Sequence, residues 1–391
     1  MTPAGRAFPD GFVWGTATAA HQVEGGNWNN DWWAWEHTPC SGCAEPSGDA
    51  CDHWHRWPQD LRLLADLGFG SYRFSLEWSR IEPEEGEFST VALDHYLAMC
   101  AGCRELGIEP VVTFHHFTTP RWVAAAGGWA ERATAGRFAR FCARAAGHLG
   151  DAMQAACTLN EPNVVATAGY LDGRFPPGER DHDRRRAVNQ VFVDAHAKGA
   201  AAIKEAIGVP VGLTLAMSDG QALPGGEAAL AEHRSGWEDP YLEAARGDDF
   251  IGVQTYTRNR FGPEGLLDPE PGVPLTTMGY EFWPEALGAT IRRAAAATGA
   301  PVLVTENGIA ADDDSQRIAF VRRALESVLD CLADGVDVRG YTYWSLLDNF
   351  EWDDGFGKTF GLASVDHETF ARTLKPSAQW YAEVARAGGL A

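Results

Sequence analysis

Long apolar runs are missing from this chain of 391 residues, whose longest stretches without Asp, Glu, Lys or Arg are residues 11–23 and 206–218. A membrane-crossing helix needs about 20 consecutive apolar residues, so none is predicted. No signal-peptide-like apolar segment follows residues 1–6, and the chain reads as leaderless and cytoplasmic. Basic residues are also scarce: 32 Lys and Arg stand against 54 Asp and Glu, a formal charge of −22. That balance excludes a nucleic-acid partner, which needs clustered cations for its phosphates. The run Arg184-Arg185-Arg186 follows Asp181 and Asp183 and reads as a solvated helix start.

Cysteine is sparse, at 8 residues. In a leaderless chain of this size, thiols are expected rather than a disulfide framework. Cys40-x-x-Cys43, with Cys51 and His53 nearby, leaves a zinc site or a Cys43–Cys51 bridge as alternatives, while Cys100 and Cys103 share one helix face and read as packing residues. No His-Glu-x-x-His pattern occurs, and Gly127-Gly128 lacks the Lys-Ser/Thr of a phosphate loop. Neither a metal nor a cofactor is therefore expected. The acidic runs Asp312-Asp313-Asp314 and Asp181-His182-Asp183 read as a helix N-terminus and a solvated loop.

What the chain does have is tryptophan, 15 in all. The cluster Trp28, Trp32, Trp33 and Trp35, and the later Trp344 and Trp352, sit beside Asn, Asp and Glu. Flat apolar faces next to hydrogen-bonding groups suit sugar rings, whose C–H faces stack while their hydroxyls need directed partners.

Short β-branched or apolar runs alternate with helical patterns. Strands are predicted at 13–18, 71–75, 109–114, 155–160, 210–216, 250–256, 302–306 and 340–345. Helices are predicted at 58–67, 90–106, 131–149, 186–207, 227–246, 281–298, 314–333 and 375–387. Eight such alternations imply a parallel sheet closed into a (β/α)8 TIM barrel. With no linker or hinge composition, the expectation is one catalytic domain over residues 1–391. The long connections, 19–56, 115–130, 259–280 and 346–372, all follow strands. They therefore lie on the C-terminal face of the barrel, where active sites form.

Two carboxylates stand out at strand ends. Glu161 closes Thr158-Leu159-Asn160-Glu161-Pro162, and Glu306 closes Val304-Thr305-Glu306-Asn307-Gly308. Strands four and seven of a barrel deliver their ends to the same rim, and paired carboxyls there fit glycoside hydrolysis. Six motifs in order then resemble the family 1 glycoside hydrolases, the β-glucosidase family: Phe8-Pro9-Asp10-Gly11-Phe12-Val13-Trp14-Gly15-Thr16-Ala17-Thr18, Gln22-Val23-Glu24-Gly25, Tyr72-Arg73-Phe74-Ser75, Asn160-Glu161-Pro162, Thr305-Glu306-Asn307-Gly308 and Trp344-Ser345-Leu346-Leu347-Asp348-Asn349-Phe350-Glu351-Trp352.

The resemblance implies that Glu306 is the nucleophile and Glu161 the acid/base, with Arg73 and Tyr256 holding the nucleophile and lowering its pKa. It implies that Gln22, His116, Asn160 and Glu351 bind hydroxyls of the nonreducing sugar, that Trp344 is the platform beneath it, and that Trp352 touches its far edge. A retaining mechanism implies carboxyl groups about 5 Å apart. Small β-glucosides are the expected substrates, with β-galactosides and β-fucosides next. Transglycosylation by the same residues and a noncatalytic sugar-binding barrel are the alternatives. Members acting on 6-phosphosugars replace the Glu-Trp pair that stands here as Glu351-Trp352, so a neutral glycoside is favoured. The chain also departs from the family pattern. The usual Asn-Tyr-Tyr reads Gln254-Thr255-Tyr256, the His-Trp pair reads His116-Phe117, and Tyr280 stands where a leaving-group Trp is usual. Tyr280, Phe117 and Gln254 are accordingly the candidates for an altered leaving-group site.

Overall fold

The computed structural model describes residues 6–39 and 41–390. Residues 1–5, Cys40 and Ala391 lie outside the described residues, and with them the start of the chain and one half of the Cys40-x-x-Cys43 pair. The strands named here are β1 (Val13–Ala17), β2 (Ser71–Ser75), β3 (Glu109–His116), β4 (Ala155–Asn160), β5 (Val211–Ala216), β6 (Phe250–Gln254), β7 (Val302–Asn307) and β8 (Val338–Trp344). They close in sequential order, every pair parallel, with β8 returning to β1. This is the (β/α)8 barrel expected from the alternation of elements, and each strand lies within two residues of its predicted start and end.

Alternation within a strand explains both layers of the barrel. In β2, Tyr72 points outward, its hydroxyl 3.4 Å from His53 on the helix His53–Leu67. Its neighbour Arg73 points inward and bonds Thr113, Asn160 and Glu306 on other strands. The outer faces pack on helices into one continuous apolar core, while part of the interior is polar, which is unusual for a barrel centre and places hydrogen-bonding groups below the rim.

Some helices differ from expectation. The helix expected from residue 58 begins at His53, so Pro58 lies inside it, where its ring removes one backbone hydrogen bond. The predicted 227–246 helix is two, Glu227–Trp237 and Asp239–Ala244, with Pro240 in the first turn of the second. Asp181 caps the helix His182–Ala206 by accepting from the amides of Asp183 and Arg184, so that segment is a helix start rather than a solvated loop. Arg185, read as solvated, donates to the Gly236 carbonyl at 2.6 Å.

The rim loops carry structure of their own. The helix Pro162–Tyr170 follows β4 directly. Strands Asp219–Ala222, Arg258–Gly262 and Gly265–Leu266 form a small sheet from the connections after β5 and β6. Cys43, Cys51, Cys100, Cys103, Cys142, Cys157 and Cys331 are free, so the Cys43–Cys51 bridge is not formed. Among the described residues no helix is long and apolar enough to cross a membrane.

Candidate active site

At the C-terminal end of the barrel a cavity of about 340 Å³ is lined by Gln22, His116, Glu161, Gln254, Tyr256, Glu306, Trp344, Glu351 and Trp352, among others. That size is at the small end of the range for ligand pockets. Residues from β3, β6, β7 and β8 and from the turns after β1 and β4 meet there.

Glu161 is the first residue beyond β4. It has φ +44° and caps the helix Pro162–Tyr170. A left-handed conformation costs a non-glycine residue about 1 kcal/mol, and the neighbouring backbone holds it. Its N–H donates to the Thr214 carbonyl at 2.9 Å, and its own carbonyl accepts from Val164 at 2.9 Å. Among the described residues no hydrogen-bond donor reaches its side-chain carboxyl, which leaves that group to the cavity.

Glu306 is held differently. One carboxyl oxygen accepts from Arg73 Nη1 at 2.7 Å, and the other accepts from the Tyr256 hydroxyl at 2.7 Å. Arg73 is fixed in turn through Nε to Thr113 Oγ1 at 3.0 Å and through Nη2 to Asn160 Oδ1. Gly308 lets the end of β7 lie against β8: a Cβ there would sit 2.1 Å from the Trp344 carbonyl oxygen.

Burial pushes both carboxyls up. At Glu161 the charge of Glu306 adds to burial, Arg73 opposes them, Glu351 contributes less, and the pKa lies well above the usual carboxylate range. At Glu306 burial also dominates, but Arg73 and Tyr256 act against it. Both groups act in the expected direction, lowering the Glu306 pKa, but the net shift is upward. They oppose the rise without reversing it, because removing a carboxylate from water outweighs them. Glu306 thus keeps two stabilisers of its charge where Glu161 has one, and Glu161 is the better proton holder.

The polar residues around the cavity share a feature. Gln22 donates to the Phe350 carbonyl at 2.8 Å and to Glu351 at 3.3 Å, while its Oε1 has no partner. His116 Nδ1 and Gln254 Oε1 are likewise unpartnered. Unpaired buried groups are costly, and these three belong to residues lining one cavity. His116 is neutral, its pKa driven far down by burial and by Arg73. Its Nε2 faces Asn160 Nδ2 at 3.2 Å. An amide nitrogen only donates, so Nε2 accepts and the ring proton sits on Nδ1. Glu351 accepts from Trp344 Nε1 at 3.3 Å and Asn349 Nδ2 at 3.0 Å, and burial raises it well above its ordinary value.

Trp344 and Trp352 line the cavity, and the His116 ring lies nearly parallel to both, 5.8 and 6.1 Å away. The first Trp cluster does not line it. Trp32 packs behind Trp352 at 4.6 Å, and Trp28 is 61% exposed elsewhere. Of the leaving-group candidates, Phe117 and Tyr280 line the cavity, and Gln254 lines it while donating to Asn160 Oδ1 at 2.8 Å. Sequence reading missed Arg174, Trp237 and Asn259 in the lining. Arg174 grips Asp353 through two nitrogens, at 3.0 and 2.9 Å, tying the connection after β4 to that after β8. An exposed Arg–Asp pair carries no signal in the sequence. Among the described residues no group of His, Cys, Asp and Glu has metal-holding geometry.

Known proteins resemble this chain in sequence and in fold. The family model for glycosyl hydrolase family 1 matches residues 4–235 and 248–390. A thermostable beta-glucosidase B from Thermobispora bispora is 35% identical over 98% of this chain and 92% of its own length. The crystal structure of beta-glycosidase BGL167 superposes with a TM-score of 0.92 at 47% identity, covering 98% of each chain. A beta-glucosidase from Thermotoga maritima, solved in complex with glucoimidazole, superposes with a TM-score of 0.92 at 30% identity over 98% of this chain and all of its own.

Proposed function

The chain belongs to glycosyl hydrolase family 1, and from that premise we propose that it hydrolyses small β-D-glucosides with retention, as one catalytic domain. β-Galactosides and β-fucosides are secondary substrates. The observation that carries the reading is the pair Glu161 and Glu306, facing one cavity with opposite surroundings: a carboxyl without donors and a carboxyl gripped by Arg73 and Tyr256.

In the first step the Glu306 carboxylate attacks the anomeric carbon as the bond to the leaving oxygen breaks, and Glu161 gives its proton to that oxygen. The product is a glycosyl ester on Glu306. Its formation removes the charge that raised Glu161, so Glu161, having given up its proton, stays a carboxylate and can take a proton from water. The resulting hydroxide equivalent attacks the anomeric carbon, the ester bond breaks, and Glu306 leaves as a carboxylate. Two displacements restore the original anomeric configuration.

The unpartnered Gln22 Oε1 and His116 Nδ1–H take sugar hydroxyls, Glu351 accepts from two vicinal ones, and the Asn160 amide meets the 2-hydroxyl. Trp344 carries the ring face. The seven free cysteines among the described residues fit a reducing compartment, the cytoplasm.

A panel of aryl β-glycosides differing only in the sugar, scored by kcat/KM, tests the class and the preference together, with the glucoside expected to lead. Glu306→Gly is expected to abolish turnover, and added azide to rescue product of the opposite anomeric configuration. Normal turnover by that variant would remove Glu306 from its role.

A further inference from the structure

Strand β6 ends on Gln254 where the family pattern has asparagine, and the side chain reaches the rim of the sugar cavity. We propose that Gln254 is a positioning residue: it clamps the Asn160 amide so that an Asn160 N–H faces the sugar 2-hydroxyl. The proposal rests on the reading of Asn160 and Glu306 given above.

Asn160 Oδ1 accepts from three donors on three different strands: Arg73 Nη2, Gln254 Nε2 at 2.8 Å and Thr214 Oγ1 at 3.2 Å. A guanidinium has no acceptor, so the atom facing Arg73 is the oxygen, and the opposite side of the amide is the NH₂. One of its hydrogens meets His116 Nε2 at 3.2 Å, and the other has no hydrogen-bond partner among the described residues. The three donors are not equivalent. Thr214 Oγ1 also lies 3.1 Å from the Leu159 carbonyl, and Arg73 also serves Thr113 and Glu306. Gln254 Nε2 has Asn160 as its one hydrogen-bond partner among the described residues.

Charge separates them further. Glu306 alternates between carboxylate and ester during the proposed cycle, so the pull on Arg73 changes from step to step. Gln254 is neutral and sits on another strand, and its hold on Asn160 is the same in both states. That constancy matters because the hydrogen bond to the 2-hydroxyl strengthens in the transition state, and a small misplacement there is costly.

Three substitutions test this. Gln254→Met keeps the length and removes the donor, and kcat/KM on an aryl β-glucoside is expected to fall about tenfold, the worth of one good hydrogen bond. On the 2-deoxy analogue the fall is expected to be smaller, so the ratio between the two substrates narrows. Gln254→Asn, the family residue, is expected to keep most of that ratio. Gln254→Glu puts an acceptor against Asn160 Oδ1. Its activity is expected to recover on the acid side of the profile, where the introduced carboxyl is protonated and donates again. An equal loss on both substrates, or no loss, in Gln254→Met would overturn the proposal. Calorimetric binding of D-glucose and 2-deoxy-D-glucose reads the same ratio without turnover. A narrowed binding ratio in a protein that cleaves no glycoside would sink the catalytic reading and leave the clamp standing. An unchanged binding ratio would sink the clamp alone.

Discussion

Glu161 and Glu306 are the same side chain, and their neighbours make them different. Glu306 accepts from a cation and a phenol, and Glu161 has neither. Because the charge of Glu306 is the largest influence after burial that raises Glu161, Glu306→Gln is expected to lower the pKa of Glu161. Titration of the Glu161 carboxyl by ¹³C NMR in that variant, against the wild-type protein, checks this. A value unmoved or raised would mean that the two groups do not sense each other. Arg73 stands between stability and chemistry. Removing one partner of a buried ion pair costs about 3–5 kcal/mol, so Arg73→Met is expected to lower the melting temperature as well as kcat. At this scale the sequence showed residue types and positions. It did not show that Gln22 bonds the Phe350 carbonyl, because that contact spans most of the chain and exists only once the barrel has closed.

At the scale of elements the barrel strands were legible, because short apolar runs between helical patterns leave few other readings. The rim elements were not. The helix Pro162–Tyr170 is buried over seven of its residues, from Pro162 to Tyr170, so it lacks the polar face that makes a helix readable. The strand Arg258–Gly262 is rich in charge and reads as a loop, yet Arg258 is buried against Glu281 at 2.6 Å and its guanidinium lies 3.5 Å from the Trp283 ring centre. Backbone contact between elements also governs the site. Gly308→Ala would place a methyl 2.1 Å from the Trp344 carbonyl oxygen, which forces β7 and β8 apart. Overpacking of this kind costs about 1–3 kcal/mol. The variant is expected to melt earlier and to lose kcat/KM through displacement of Glu306 and Trp344, measured by thermal unfolding and aryl glucoside turnover.

For the molecule as a whole, gathering acids in one cavity works against stability. Glu161, Glu306 and Glu351 all have folded-state pKa values raised by burial. A raised carboxyl binds more protons folded than unfolded, so stability is highest below the unfolded pKa and falls as pH rises through the folded one. Glu161→Gln removes one such group. It is expected to raise the melting temperature relative to wild type near pH 8 and to change it little near pH 4, where the wild-type side chain is already protonated. Calorimetric melts of both proteins across that range check the sign, and a stabilisation that grows toward acid pH would refute it.

The order of strands and helices, the rim location of the long connections and the two acids at strand ends are local properties, and the sequence determined them by itself. Periodicity and chain punctuation act over a few residues and survive without tertiary contacts. Which acid has its pKa raised more, which tryptophans line the cavity and which merely support it, and what Gln254 touches depended on groups brought together from distant segments. Burial and hydrogen bonding are properties of a neighbourhood, and the neighbourhood exists only after the eighth strand has paired with the first.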